Sequence, residues 1–566
     1  MSTLITNALI LGGAAVSVWH RAMLVEDGKV ARLGDEQALR AAHPDAEVVD
    51  LGGRTVLPGF IDAHVHPILG GQELISCSLT DGVTIDDYRA LISAYAAANP
   101  DREWIVGSGW SMDAFPGGVP SATHLEGVDD GRPVFLMNRD GHSAWVNTIA
   151  LERAGITAST PEPHGGVIER GADGEPTGAL HELAADLVRV VVPPIELLNA
   201  EQALLVAQDY LLSLGITGWQ DAGIHHDRGY DRAYRALIER DALRVEVEGA
   251  QWLPAELPAG IVEKMVATRR EFEGTPVSMT SVKIMLDGVI ETHTAHLKQP
   301  YLEPGPIDST GLEFFDPERL LEVVAELDSL GFNLHFHAVG DAALRQAIDV
   351  VAHCREVNGW DTGVKHVAHV QVVDHADLVD LRRVGLAVNA QTLWARLEPY
   401  VTELAIPVLG DERGYSQYPF ASFLQHGIAL GMGSDWSVST PNPFHQLHVA
   451  VNRRPVPKPT VPEDVGVFMP EERLTLIDAV RAFTIGSAHL SARAERKGSL
   501  EPGKDADFVV LDRDVFAGPP SEIYTTRVDQ TWVGGRIVFE RQHEPASNGA
   551  EPTSSAEPES KEHLNG

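Results

Sequence analysis

Cysteine is nearly absent from this sequence: its 566 residues include two, Cys77 and Cys354. Two distant cysteines make neither a disulfide framework nor a CxxC metal site. Long apolar runs are missing as well, so no membrane partner is expected. The opening MSTLITNALI lacks the basic flank and long apolar core of a secretory signal. Positive charge is in deficit, with 44 Lys and Arg against 81 Asp and Glu and a formal net charge of −37. That balance disfavours polyanions, so no nucleic-acid partner is expected. A local pocket can differ from the net field, so an anionic small molecule is not excluded. No GxGxxG follows an apolar strand, and no GxxxxGK(S/T) loop is present, which argues against nucleotide cofactors. These absences leave a soluble cytoplasmic protein acting on a small molecule. A homodimer is the base expectation, because most soluble oligomers are twofold.

What is present is too long for one ordinary core, and two or three domains are expected. Residues 1–57 read as short strands with turns at Asp27-Gly28 and Gly52-Gly53. Residues 497–541 carry similar material, including a hairpin at TRVDQTWVGGRIVFE. Neither section is long enough for its own core, so one composite β-sandwich domain from both chain ends is the economical reading. Residues 542–566 have almost nothing to bury and read as a disordered tail.

Between the ends, eight apolar segments recur: FIDAHVHP, then 215–223, 244–250, 281–288, 333–341, 364–370, 385–392 and 428–435. Helix-like stretches such as 317–331 and 341–357 separate most of them. An α/β fold follows, a (β/α)8 TIM barrel over 58–67 and 215–496, with its site at the C-terminal strand ends. Residues 68–214 are far too long for a loop and read as an inserted subdomain near the mouth.

Chemistry concentrates at those strand ends. His64 and His66 are two apart in FIDAHVHP, so in a strand both face one side and can share a metal ion. Lys283 sits inside the apolar SVKIMLDG. It is either a snorkelling or ion-paired lysine or, on the sharper reading, one carboxylated by CO2 on its side-chain nitrogen. His335 and His337 again share a face; His337 is nearer the mouth and preferred as a ligand, with His335 supporting. His366 and His369 have opposite parity in a regular strand, and His369 is preferred. Asp435 ends a long apolar run, where a carboxylate needs a partner. His64, His66, Lys283, His337, His369 and Asp435 form a set of oxygen and nitrogen ligands for one or two divalent ions. Zinc is the first expectation, and manganese, iron or cobalt the alternatives.

The pieces PGFIDAHVHP, NRDGHSAWVN, GGVIERGADGEPTGAL, VKIMLDGVIETHTA, HFHAVGDAA, HVAHVQVV, GSDWSV and KGSLEPGKDADFVVLD resemble the metal-dependent amidohydrolase superfamily. The fit is to its amidohydrolase-3 branch, with YtcJ-like and N-substituted formamide deformylase-like members. The resemblance spans about residues 5–540 and implies a barrel, a composite β domain and an insertion. It also implies that His64, His66 and Asp435 hold a first ion, and that carboxylated Lys283 bridges to a second held by His337 and His369.

The expected reaction is hydrolysis of a non-peptide C–N bond, amide, N-acyl or N-formyl, by metal-activated hydroxide attacking a carbonyl. Asp435 would take the water's proton and return it to the leaving nitrogen. His142, Asn147, His293, Trp394 and Arg396 are candidate substrate contacts, with Arg453 a second candidate anchor for an anion. Thr292 and Thr294 are candidate mouth residues, and Trp110 and Trp219 candidate walls. The alternatives are a cyclic-amide, carbamate or ester hydrolase of the same superfamily, and a noncatalytic metal-binding paralogue.

Overall fold

The computed structural model describes residues 2–193, 200–302, 309–458, 461–462 and 464–542. Apart from residue 542, the tail expected over 542–566 lies outside them.

The central sheet has eight parallel strands in sequence order. They are Phe60–Val65, Ile216–Ile224, Glu246–Trp252, Val277–Met285, Asn333–Ala338, Lys365–His369, Ala387–Ala390 and Leu430–Met432. Each falls within or overlaps one of the eight apolar segments. Strands covered on both faces read as continuous apolar runs, and Ile216–Ile224 is buried at every position. The ring closes between last strand and first. The Asp435 amide donates to the His64 carbonyl at 2.7 Å, and the Ser434 amide to the Asp62 carboxylate at 2.9 Å. Gly433 permits this approach, because a Cβ there would lie 2.6 Å from the His64 backbone nitrogen.

Helices wrap the outer face. Pro317–Ser329 begins with proline in its first turn, and Asp316 caps the Arg319 amide at 3.0 Å. Its Leu320, Val324 and Leu327 recur at helical spacing and are buried in the main core. Asp341–Asn358 buries Leu344, Ala347, Ile348 and Val351 in the same way. Inside the barrel, where branched aliphatics usually fill the space, the level beneath the mouth is polar: Asp62, Lys283, His335, His366 and Asn389 are all buried.

Both chain ends contribute to one six-stranded sheet, ordered Arg536–Glu540, Val528–Val533, Phe508–Leu511, Thr55–Pro58, Leu9–Gly12, Val18–His20. A four-stranded sheet of Lys29–Gly34, Ala22–Glu26, Ser2–Thr6 and Glu47–Asp50 shares a core with it. Ile5, Met23 and Val30 meet Val56, Phe508 and Trp532 there, making the expected sandwich. Between the first and second barrel strands lies another six-stranded sheet, running from Cys77–Ser78 to Gly166–Arg170. Its two faces bury alternate residues: Leu136 and Trp145 on one side, Phe135 and Ala144 on the other. Among the described residues no helix is long and apolar enough to cross a membrane.

Candidate functional site

Histidine, lysine and aspartate from different strands converge at the barrel mouth. His64, His369 and Asp435 are buried, and each offers a ligand atom within 4.8 Å of the others. His64 Nε2 and His66 Nε2 each lie 3.3 Å from Asp435 Oδ1. These contacts lack hydrogen-bond geometry, and Asp435 Oδ1 and His369 Nδ1 are buried without a hydrogen-bond partner in the protein. Such groups rarely stay unmet in a core. Convergent imidazoles and a carboxylate with free lone pairs fit a divalent cation, and we assign the cluster as a divalent metal site.

Local backbone geometry makes the cluster possible. His369 and Asp435 both adopt left-handed conformations, with φ of 76° and 54°. The break at His369 explains a point that strand parity alone misreads. A regular strand would turn His366 and His369 to opposite sides, yet both lie inside: His369 stacks on Trp394 at the mouth, and His366 packs on His335 one level down.

Lys283 Nζ lies 3.3 Å from His64 Nε2 and has no carboxylate within ion-pair distance among the described residues. Burial lowers its ammonium to about 8, against the opposing pull of Asp435 and Asp221. Burial, with Lys283 adding to it, holds the His64 imidazolium down at about 3, so this imidazole is neutral, as a ligand must be. His337 stands with its ring centroid 4.4 Å from that of His369, but its Nε2 faces the Gly288 carbonyl at 3.2 Å and Asp287 at 3.5 Å. Asp287 accepts the amides of Val339, Gly340 and His296 at 2.8–3.0 Å, fixing the loop that follows His337. The triad therefore joins His369, which the resemblance placed beside a second ion, to His64 and Asp435.

Above the cluster is a cavity of about 430 Å³. His142, Trp394 and Arg396 line it together with His337 and His369. His142 enters on the turn between Val134–Asn138 and Ser143–Val146, and the Asp140 carboxylate accepts its amide at 3.0 Å. Its Nδ1 lies 3.0 and 2.9 Å from the two oxygens of Glu182. Burial would lower this imidazolium, but Glu182 outweighs burial and lifts it to about 9.

The other candidates serve elsewhere. Asn147 caps the helix Thr148–Ala154: its side chain accepts the Ala150 and Val134 amides and donates to Asp129 and to the Arg132 carbonyl. His293 packs against Tyr301 with ring centroids 4.8 Å apart and is not among the cavity's lining residues. Arg453 is buried and donates to the carbonyls of Phe468, Tyr418 and Gln417, so it anchors backbone. Trp110 and Trp219 are core residues donating to the Leu136 carbonyl and the Tyr234 hydroxyl. Thr294 donates to Glu182 at 2.8 Å, supporting the partner of His142.

Sequence reasoning passed over four residues. Glu182 holds His142 from across the insertion's sheet. Tyr400 orders the roof, its hydroxyl donating to Asp140 at 2.7 Å. Glu73 lines the cavity, and burial raises its carboxyl to about 7. Arg139 also lines the cavity, with its guanidinium carbon 4.7 Å from the Tyr400 ring centroid and no side-chain hydrogen bond or ion pair among the described residues. Arg396, the expected anchor, is instead paired with Glu398. The signal for Arg139 was available in its adjacency to Asp140 and His142.

A profile of the Amidohydrolase family matches residues 47–539, and one of an imidazolonepropionase-like composite domain of bacteria matches residues 22–46. The chain is 28% identical over 528 residues to the putative amidohydrolase YtcJ of Bacillus subtilis, covering 92% of this chain and 96% of that protein. It is 28% identical over 559 residues to the N-substituted formamide deformylase of Arthrobacter pascens, covering 95% and 98%. An uncharacterized metal-dependent hydrolase from Pyrococcus horikoshii shares the fold, with a TM-score of 0.70 at 24% identity over 91% of this chain and 98% of that one.

Proposed function

The chain belongs to the amidohydrolase family and is a metal-dependent hydrolase of amide C–N bonds; from that premise we propose that its substrate is a small N-acyl or N-formyl amide bearing an anionic group away from the scissile bond. One observation carries the substrate reading. The cavity holding His337 and His369 also holds Arg139, which lies over the Tyr400 ring with Glu398, Asp113 and Asp140 in its electrostatic surroundings but makes no side-chain hydrogen bond or close ion pair among the described residues, in a protein of net charge −37. A guanidinium held over a tyrosine ring is preorganised to accept a carboxylate. The likeness to a formamide deformylase over nearly the whole chain supports the amide class.

His64, His66, His369 and Asp435 would hold the ion, which we take to be zinc. Such an ion lowers the pKa of water and polarises a carbonyl oxygen. His142 projects into the cavity, held from behind by Glu182, and is the donor we assign to the substrate carbonyl. Asp435 takes the proton of the attacking water and delivers it to the leaving nitrogen as the C–N bond breaks. Trp394, flat against His369 with an interplanar angle of 4°, shields one side of the reacting carbonyl. We further propose that Lys283 is carboxylated. Its neutral amine adds to the carbon of CO2, an N–C bond forms, and one proton leaves, giving a buried anion where the amine alone has no acidic partner.

The test is a paired substrate panel, an N-formyl or N-acetyl amino acid beside the same amide lacking the carboxylate, with released amine identified by mass spectrometry. The reading expects the carboxylated member to be cleaved with the higher kcat/KM. Equal rates would overturn the anionic anchor alone, whereas cleavage of neither would overturn the choice of an N-acyl or N-formyl substrate.

A further inference from the structure

Beneath the mouth, three imidazoles descend into the barrel. His64 Nδ1 lies 2.9 Å from His335 Nε2, and the His335 ring packs on His366 with centroids 4.1 Å apart. His64, His335 and His366 are all completely buried. His335 Nδ1 and both nitrogens of His366 have no hydrogen-bond partner in the protein. Unmet imidazole nitrogens are costly in a core, and a methionine would fill the same space without them. What an imidazole at 335 adds is an acceptor for His64.

We propose that His335 is a positioning residue for the metal site, holding His64 in the tautomer and ring orientation that present Nε2 to the ion. A neutral imidazole carries one proton. His64 Nε2 faces Asp435 and Lys283, 3.3 Å from each. For Nε2 to offer its lone pair, the proton sits on Nδ1 and is donated to His335 Nε2. His335 then carries its own proton on Nδ1, the atom left without an acceptor. The cost of that buried N–H is borne to fix the ligand above it. The usual outer partner of a metal-bound histidine is a carboxylate or a backbone carbonyl. An imidazole holds the ring without adding a further negative charge beneath His64.

The reading rests on the metal site and not on the substrate. His335→Met removes the acceptor and keeps the volume, and His335→Gln restores an acceptor where Nε2 stood. Affinity is read by chelator competition with zinc, and geometry by the visible spectrum of the cobalt-substituted protein. H335M is expected to bind zinc about 10–100-fold more weakly and to shift the cobalt spectrum, with H335Q within about threefold of wild type. Wild-type affinity and spectrum in H335M would overturn the proposal, as would equal losses in H335M and H335Q, which mark a space-filling role. Nitrogen-15 spectra of the histidine-labelled, zinc-loaded wild type provide a test without mutation. A proton on His64 Nδ1 supports the proposal, and a proton on Nε2 overturns it. Wild-type protein that takes up no divalent ion overturns the metal site itself.

Discussion

Two buried lysines in the same barrel show how burial and function separate. Lys283 lies toward the C-terminal end of Val277–Met285, and Lys365 begins Lys365–His369 at the opposite end of the barrel. They are 2% and 1% exposed. Lys365 is fully satisfied: it pairs with Asp328 at 2.6 Å and donates to the Thr362 hydroxyl and the Gly363 carbonyl. Lys283 has one polar contact within hydrogen-bonding distance among the described residues, the nitrogen of a metal-ligand histidine. At the closed end the buried lysine has an ion pair and two hydrogen bonds, whereas the open end leaves Asp435 Oδ1 and His369 Nδ1 without a partner among the described residues, free for an ion. Burial of a charged residue is therefore a weak marker of function, and an unmet valence is the stronger one.

The largest contrast is expected from substitutions at the open end. Asp435→Asn should lower turnover of the metal-replete protein by about 10²–10⁴-fold, with an unchanged circular dichroism spectrum. Turnover near wild type would remove Asp435 from proton transfer. Lys283→Met should cut turnover by about 100-fold or more and lower bound metal without lowering the unfolding temperature. Lys365→Met is expected to do the reverse. It strands Asp328 without its cation, destabilising the fold by about 3–5 kcal/mol in a denaturant titration, while the folded fraction keeps its metal. If K283M proves the less stable of the two, the contrast between the barrel ends fails.

A second comparison lies within the cavity. Arg139→Gln should lower kcat/KM about 10–100-fold for a carboxylated amide and leave its uncharged counterpart unchanged. Arg396→Gln, whose cation is already paired, should not discriminate between them.

The smallest effect concerns pH. Glu73 is buried in the cavity wall, Thr80 donates to its Oε1, and its Oε2 has no partner. Burial raises its carboxyl from 4.5 to about 7. The protonated form is the one the fold favours, so its contribution is complete below 4.5 and is lost as pH rises through about 7. Glu73→Gln stays neutral throughout. It should raise the apparent Tm by a few degrees at pH 8 and leave it unchanged at pH 4.5. An equal shift at both values would tie the effect to packing.

The barrel was legible because buried parallel strands are short apolar runs bounded by turns, as in IALGMGSD and NLHFHAVGD. His64 and Asp435 were legible for the same reason: a polar group closing such a run stands out. The cavity roof was harder to read. His142 and Asn147 lie in one motif, but the strand Ser143–Val146 carries Asn147 away from the cavity to a helix N-terminus. Glu182 reaches His142 across the insertion's sheet, and Tyr400 reaches Asp140 from the segment after the barrel strand Ala387–Ala390, and no local spacing encodes those contacts. The bend at His369 was hidden too, because a left-handed histidine has no compositional mark.

The seam where the barrel closes has a consequence for how the protein is made. The His64 carbonyl waits for the amide of Asp435, so the first metal ligand to be synthesised is held in place by the last. On the ribosome the chain must extend beyond residue 435 before its cluster exists, and the sheet joining Leu9–Gly12 to Val528–Val533 closes later still. A nascent chain therefore has no assembled site with which to capture an ion, and loading is a property of the finished protein.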